Sequence, residues 1–416
     1  MRYSIITFGC RVNQADSFGF EEALRAGGGE AAPPESADVV IVNTCSVTAA
    51  SDQSARQTIR RVARDNPNAR LVVTGCYATR KPEEVAALPN VSHVVPNREK
   101  PRLLELAGLM STAERFGDGA GSCGAVLEPG LAGRTAFTLR VQTGCTEPCS
   151  YCIIPATRGT PRSVPLEDVL QEVERVTGAG FKEVVLTGVH LGSYGRDLAP
   201  PSCLTALLRR LGDQTTAARF RISSLEPMDC TREIVDLVAG SDLFAPHFHL
   251  PLQHASLRVL AAMRRPYSIA QFDALVRDIR RRLPHASIGS DVIVGFPGET
   301  ESDFDELVSY LDGSPLTHLH VFPYSDRPGT AASTMGHKVP GALIRDRVGR
   351  VREIGHRLTT RFRDSQMGTS HRALTLEDGS LALTGNYLKV RIPPGRPRNE
   401  WVRVRLTSHQ HAEICG

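Results

Sequence analysis

Three of the chain's ten cysteines crowd into the stretch "GCTEPCSYC", as Cys145, Cys149 and Cys152 in the spacing CxxxCxxC. A closed zinc site takes four ligands, usually as two paired knuckles, and no second CxxC occurs in the chain. His190 could serve as a fourth ligand, although a lone histidine in a strand-end loop more often makes a local hydrogen bond. Thiol–disulfide chemistry needs two cysteines and leaves the third idle. An iron–sulfur cubane suits the count better: three soft thiolates hold three irons, and the fourth iron stays open to a substrate or cofactor.

Three other cysteines repeat a pattern at a distance. "SIITFGC", "DVVIVNTC" and "ARLVVTGC" place Cys10, Cys45 and Cys76 each just after an apolar, Val/Ile-rich run. In a parallel sheet the C-terminal strand ends share one edge, where open α/β sheets bind ligands. Convergence of the three thiols there predicts a second cluster; the alternative is three independent buried cysteines. Cys123, Cys203, Cys230 and Cys415 follow no such pattern and are expected to be structural or free.

The positions of these cysteines depend on the elements around them. The first 107 residues alternate apolar runs ("YSIITF", "DVVIVN", "ARLVVT") with helical patterns, a βαβ rhythm that predicts a parallel sheet. The helix in "NQADSFGFEEALRAGG" is expected to start at an Asp16 or Ser17 cap and end at Gly27. Residues 108–134 are Gly-rich and aperiodic, a linker. From 135 to 340, "FTLRVQ", "EVVLTG", "RFRISS", "HFHLPL", "SIGSDVIVG" and "LTHLHVF" read as six strands with helices between them. That is a partial β/α barrel, whose C-terminal strand ends carry chemistry. Residues 341–367 form an Arg-rich helix. Residues 368–416 switch to short alternating segments, a small antiparallel β-barrel. The fold class is α/β with that β-barrel appended.

Net charge is +4, but from Pro340 onward 14 Lys/Arg face 7 Asp/Glu, so the C-terminal part is basic and the rest slightly acidic. A basic end is compatible with a nucleic-acid partner. No run approaches a membrane span, and the N-terminal segment does not read as a signal peptide. A cytoplasmic protein without membrane attachment is expected, in a compartment where clustered cysteines hold metal rather than form disulfides.

CxxxCxxC with Tyr151 before its last cysteine resembles the signature of the radical S-adenosylmethionine enzymes. With Cys10, Cys45 and Cys76 added, the chain closely resembles the methylthiotransferases within that superfamily, over nearly its full length. "GCRVNQADS", "VNTCSVT", "SARQTIRR", "TGVHLGSYG" and "HVFPYSDRPGTAA" are most similar to the branch acting on threonylcarbamoyladenosine in tRNA. The resemblance implies two 4Fe-4S clusters, S-adenosyl-L-methionine, a flavodoxin- or ferredoxin-like electron donor, a sulfur source, and tRNA as substrate. It implies a radical-SAM barrel for the central domain and a short TRAM-like RNA-binding barrel at the end. It implies cofactor contacts near Tyr151, Gly188, Ser224, Glu226 and Val294. Target alternatives are tRNA isopentenyladenosine and a ribosomal-protein side chain; a non-catalytic iron–sulfur RNA-binding protein is a third reading. The chain departs from the family pattern at His254-Ala255, where Ser-Gly is common, and at Pro96, where Gly is usual.

For RNA, Tyr387, Lys389 and Arg391 in "GNYLKVR" are spaced to share one strand face, an aromatic with two cations suited to stacking and phosphate contact. An ordinary solvated face is the plain alternative. Arg158 and Arg162 follow the cysteine motif and are expected to guide the nucleotide, or else to form loop salt bridges.

Overall fold

The computed structural model describes residues 1–109, 128–130, 135–213 and 218–415, so Cys123 lies outside the described residues. Contacts divide the chain into two compact units. One comprises Met1–Leu127, Arg140–Gln171 and Ser325–Ser333; the other comprises Glu128–Leu139, Glu172–Tyr324 and Thr334–Gly416.

In the first unit, β1 (Arg2–Thr7), β2 (Glu30–Ala31), β3 (Val39–Thr44), β4 (Arg70–Gly75) and β5 (Val91–Val95) form a parallel sheet in the order β2-β1-β3-β4-β5. Both faces are covered, which is why its strands are continuous apolar runs rather than alternating ones. Val40, Val42, Leu71 and Val73 pack on Ala55, Ile59 and Val62 of the helix Ala49–Asp65. Val39, Ile41 and Val72 pack on Phe20, Ala23 and Leu24 of the helix Arg11–Ala26. That second helix starts at Arg11 with Cys10 as its N-cap, several residues before the expected Asp16 or Ser17 cap. Asp16 and Ser17 are instead buried inside it: Asp16 meets cations, and Ser17 accepts a hydrogen bond from Thr7 Oγ1 at 2.7 Å. After β6 (Phe137–Arg140), most of which belongs to the second unit, β7 (Gln142–Thr143) and β8 (Arg162–Ser163) pair antiparallel in the first.

The second unit holds two three-stranded sheets. β6 neighbours β9 (Glu183–Thr187), which pairs in parallel with β10 (Arg219–Ile222). β11 (His247–His249), β12 (Ser287–Val294) and β13 (His318–Pro323) form the other, also parallel. Single bridges from Phe220 to Phe244 and from Ser224 to His249 join them in sequence order, giving the expected partial barrel. The helix Gly341–Ser365 leads to β14 (Ser370–Leu376), β15 (Leu381–Thr384), β16 (Lys389–Arg391), β17 (Trp401–Leu406) and β18 (Ala412–Cys415). These five strands run antiparallel in the order β16-β15-β14-β17-β18. The sheet curls until the Arg391 amide at one edge donates to the Gln410 carbonyl beside the other, at 2.7 Å. Val390, Val402, Val404 and Leu406 fill its core with Phe362 of the preceding helix. β5, β15 and β18 escaped the sequence reading because each is short and lacks a long Val/Ile run.

A second expectation fails here. Tyr387 does not share a strand face with Lys389 and Arg391: it precedes β16 with φ +68°. The turn swings its ring onto His247, centroids 4.7 Å apart, and under the Arg221 guanidinium at 4.8 Å.

Candidate functional site

Cys10, Cys45 and Cys76 follow β1, β3 and β4, which are neighbours in one parallel sheet. Thr7 lies opposite Asn43 and Thr44 opposite Gly75, so the three chain exits stand at one level of the sheet edge. Gly9, at φ +83°, passes so close that an added Cβ would lie 2.6 Å from both Cβ and Sγ of Cys45. Burial pushes the Cys45 thiol up to about 11, and the neighbouring Cys76 and Cys10 push it the same way, while the Val47 amide and Ser51 hydroxyl oppose them. The loop after Cys45 is pinned by a buried ion cluster. Asp52 holds Arg80 and Arg327 (3.0 Å), and Arg327 donates to the Ser46 carbonyl at 2.7 Å.

A second buried cluster stands beside Cys10 and Cys76. Asp16 takes Lys100 at 2.7 Å and Arg140 at 2.7 Å, with Arg158 at 3.6 Å. Burial favours the protonated acid, yet these three cations hold the Asp16 carboxyl below its ordinary value. Burial likewise opposes charge on Arg158, but Cys76, Asp16 and Cys10 overrule it and hold the guanidinium above its ordinary value. Three cations around one carboxylate leave excess positive charge, which suits thiolates and an anionic group bound to them. Arg158 Nε is buried with no hydrogen-bond acceptor, a further donor facing this region. The donor set therefore fits a cluster held by Cys10, Cys45 and Cys76.

The loop bearing Cys145, Cys149, Tyr151 and Cys152 belongs to the same unit. β7 and β8 close its neck, and the Cys145 amide donates to the Gly159 carbonyl at 3.0 Å. Gly144, at φ +78°, allows that closure; a Cβ there would sit 1.9 Å from the Thr160 carbonyl oxygen. All three cysteines are half-buried, and among the described residues every cysteine is free of disulfides. The Glu147 amide donates to Cys145 Sγ at 3.4 Å, the kind of N–H···S contact that cluster sulfurs receive. Asn97 ties the two cysteine sets together: its Nδ2 lies 3.5 Å from Cys76 Sγ and 2.9 Å from the carbonyl of Thr157, in the short helix after Cys152.

Sequence reasoning missed Asn97, Lys100 and Arg140. For Asn97 and Lys100 the available signal was Pro96 in "VVPNREK". With φ −67° it sets up the turn Asn97–Arg102 that aims Asn97 and Lys100 inward. Of the two readings of Arg158, the salt bridge is the one observed: it is 5% exposed and tied to Asn13 and Asp16. Arg162 is exposed on β8.

In the second unit, Gly188 follows β9, Ser224 and Glu226 follow β10, and Val294 ends β12. Ser224 is exposed, and Glu226 pairs with Arg265, whose guanidinium also lies on the Tyr267 ring. Val294 is the last residue of its strand. It is fully buried, and its carbonyl accepts the Tyr324 amide at 2.7 Å. His190 is a local hydrogen-bonder, Nε2 to Asp229 at 2.8 Å. His254, the departure in "PLQHAS", is fully buried and lies 3.5 Å from Glu299, which also holds Arg347 at 2.6 Å and the Gly295 amide at 2.7 Å. It braces the strand end from within. Lys389 and Arg391 are exposed on β16, Lys389 beside Glu377 at 2.7 Å. Cys230 is buried, which pushes its thiol up to about 12 and keeps it inert.

Residues 2–96 match the family model described as uncharacterized protein family UPF0004, and residues 139–311 match the radical SAM superfamily. The threonylcarbamoyladenosine tRNA methylthiotransferase MtaB of Aquifex aeolicus is 37% identical, over 98% of this chain and 100% of its own length. Its Bacillus subtilis namesake is 36% identical, over 86% of this chain and 80% of its own. The tRNA-2-methylthio-N(6)-dimethylallyladenosine synthase of Corynebacterium efficiens is 33% identical, over 86% of this chain and 71% of its own. Among solved structures, the radical S-adenosylmethionine methyltransferase TsrM from Kitasatospora setae matches with a TM-score of 0.55 at 16% identity, covering 80% of this chain and 75% of that one. That likeness is one of fold.

Proposed function

The chain belongs to the radical S-adenosylmethionine methylthiotransferases of tRNA, and from that premise we propose that it places a methylthio group on carbon-2 of N6-threonylcarbamoyladenosine next to the anticodon. The observation that carries the reading is the placement of both cysteine sets in one compact unit, bridged by Asn97. Relatives named for threonylcarbamoyladenosine, 36–37% identical, favour this base.

Cys145, Cys149 and Cys152 would hold one 4Fe-4S cluster, the one that takes S-adenosyl-L-methionine; Cys10, Cys45 and Cys76 would hold the second. When bound, these groups supply the radical and the sulfur that an unactivated aromatic C–H bond requires. The protein's own residues do the rest. Lys100, Arg140 and Arg158 balance negative charge at the second set, and the Asn97 and Glu147 N–H groups draw electron density from the thiolates. Gly188, Ser224 and Glu226 stand at strand ends where the polar parts of the cofactor would bind. Arg162, Lys389 and Arg391 would meet RNA phosphates. The proposed domain limits are 1–107, 135–340 and 368–416, with a linker and a helix between. A flavodoxin- or ferredoxin-like donor and a sulfur source complete the reaction in the cytoplasm. Among the described residues no helix is long and apolar enough to cross a membrane.

Gly9→Ala places a methyl group against Cys45 at a backbone angle that disfavours any side chain. The expected result is a reconstituted protein with roughly half the iron per chain, the Cys145 loop being untouched. Iron and sulfide assays check this, and full iron content would contradict it. Target choice is tested by mass spectrometry of tRNA nucleosides from a strain lacking the chain. Methylthiolated threonylcarbamoyladenosine should vanish while methylthiolated isopentenyladenosine persists. The reverse outcome would transfer the substrate to the isopentenyl branch, which the 33% identical Corynebacterium relative represents.

A further inference from the structure

β11, β12 and β13 gather an array of histidines around one acid. His249 lies opposite Gly289, Gly289 opposite His318, and Asp291 opposite His320. Two-residue alternation puts His318 and His320 on the same face of β13, and Gly289 and Asp291 on the same face of β12. Gly289 leaves the space the His318 ring fills; a Cβ there would fall 2.0 Å from its Nε2. The His318 ring lies 6.2 Å from that of His249 and 5.6 Å from that of His320, restricting both.

Among the described residues, His249, Asp291 and His320 form the group of histidine, cysteine and acidic side chains whose donor atoms all fall within 4.8 Å of one another. His249 Nε2 is 2.9 Å and His320 Nδ1 is 3.1 Å from the same oxygen, Oδ1 of Asp291. An ion about 2.0–2.2 Å from each of three N/O ligands spaces them by about 3 Å, or slightly more in tetrahedral geometry. Two of the three separations already have that value. The burial gradient is also suited to a site with an entrance: the His249 side chain is 12% exposed, Asp291 25% and His320 57%.

We propose that His249, Asp291 and His320 form a binding site for one divalent transition-metal ion, distinct from both cysteine sets. Two imidazoles and a carboxylate are a ligand set for zinc or ferrous iron that leaves coordination positions open. Here the open positions lie on the side of exposed His320, where water or a substrate oxygen such as a carboxylate can enter. Binding replaces two N–H···O hydrogen bonds with metal–ligand bonds, and each imidazole carries its proton on the other ring nitrogen. A three-residue hydrogen-bonded relay without metal is the competing account.

The test uses cluster-loaded protein, so that the cysteines are occupied, given zinc and then desalted. About one zinc per chain should be retained, and zinc-edge X-ray absorption should show N/O neighbours at about 2.0–2.1 Å with imidazole scattering, not sulfur at about 2.3 Å. His320→Ala, at an exposed position, and Asp291→Asn should each weaken zinc retention at least tenfold while cluster iron stays constant. Zinc surrounded by sulfur, no retained zinc, or unchanged retention in His320→Ala would overturn the site. Metal content is read without turnover, so the outcome is independent of which tRNA base is modified.

Discussion

Replacing Cys149 with alanine should abolish reductive formation of 5′-deoxyadenosine, a loss of at least about 10³-fold, because the proposed radical cluster loses one of its three thiolate ligands. Iron should fall to roughly half of the loaded value. The fold should survive. Three backbone bonds help hold the loop: the Cys152 amide on the Cys149 carbonyl at 3.2 Å, the Cys145 amide on the Gly159 carbonyl at 3.0 Å, and the Ala332 amide on the Ser150 carbonyl at 2.7 Å. None of these uses the thiol of Cys149. Circular dichroism should therefore be unchanged, and Cys203→Ala, at an exposed cysteine, should leave both iron and product intact. Deoxyadenosine from the Cys149 variant at more than a trace level would remove the CxxxCxxC loop from the radical chemistry.

The largest stability effect is expected at Glu183. Its fully buried carboxylate takes Arg219 at 2.6 Å and Arg221 at 3.1 Å. These two arginines reach onward to the C-terminal sheet, donating to the carbonyls of Arg372 (3.2 Å) and Gly385 (3.0 Å). They also lie on the rings of Trp401 and Tyr387, each at 4.8 Å. Removing the acid leaves two buried guanidiniums without a counter-ion, so Glu183→Gln should cost about 3–5 kcal/mol at pH 7. Trp401, the chain's one tryptophan, sits on this joint, and its fluorescence in urea reports the loss.

The same group gives a pH signature. Burial works against the charged carboxylate, but Arg221 and Arg219 more than compensate and hold Glu183 at about 2. Burial lowers the pKa of Arg219, yet a guanidinium keeps its proton throughout the working range, so the carboxylate carries the pH dependence. A folded-state value below the unfolded one means stability that is complete above about pH 4.5 and lost as pH falls toward 2. The drop from 4.5 to about 2 corresponds to roughly 3 kcal/mol. Between pH 5 and 3 the unsubstituted chain should lose urea resistance faster than Glu183→Gln; equal slopes would contradict an ionised Glu183.

Much of the architecture was legible because its signals are local. A strand buried on both faces must be apolar along its whole length, so β1, β3 and β4 announce themselves, and a cysteine just past each falls on one edge. The Arg-rich helix and the alternating segments of β14 and β17 are equally local patterns. The two readings of Arg158 stayed open because an arginine after an exposed-looking loop carries no mark of the Asp16 and Asn13 that bury it from more than a hundred residues away. Tyr387 was misread because one left-handed residue breaks the two-residue alternation on which its assignment to a strand face rested. The early start of the helix at Arg11 was hidden for a related reason. Asp16 resembles a cap by type, and only its distant cations explain an acid inside the helix.

By itself, then, the sequence determined the parallel sheet, the partial barrel, the curled C-terminal sheet and the two cysteine sets, since each follows from periodicity or from spacing along the chain. Tertiary structure alone decided which charges surround those cysteines. It alone brought Asn97 between Cys76 and Thr157, and set His249 and His320 on one oxygen of Asp291. The physical reason is range. Backbone preference and apolar patterning act over a few residues, whereas ion pairs and ligand sets depend on side chains that meet only after distant strands have paired in register.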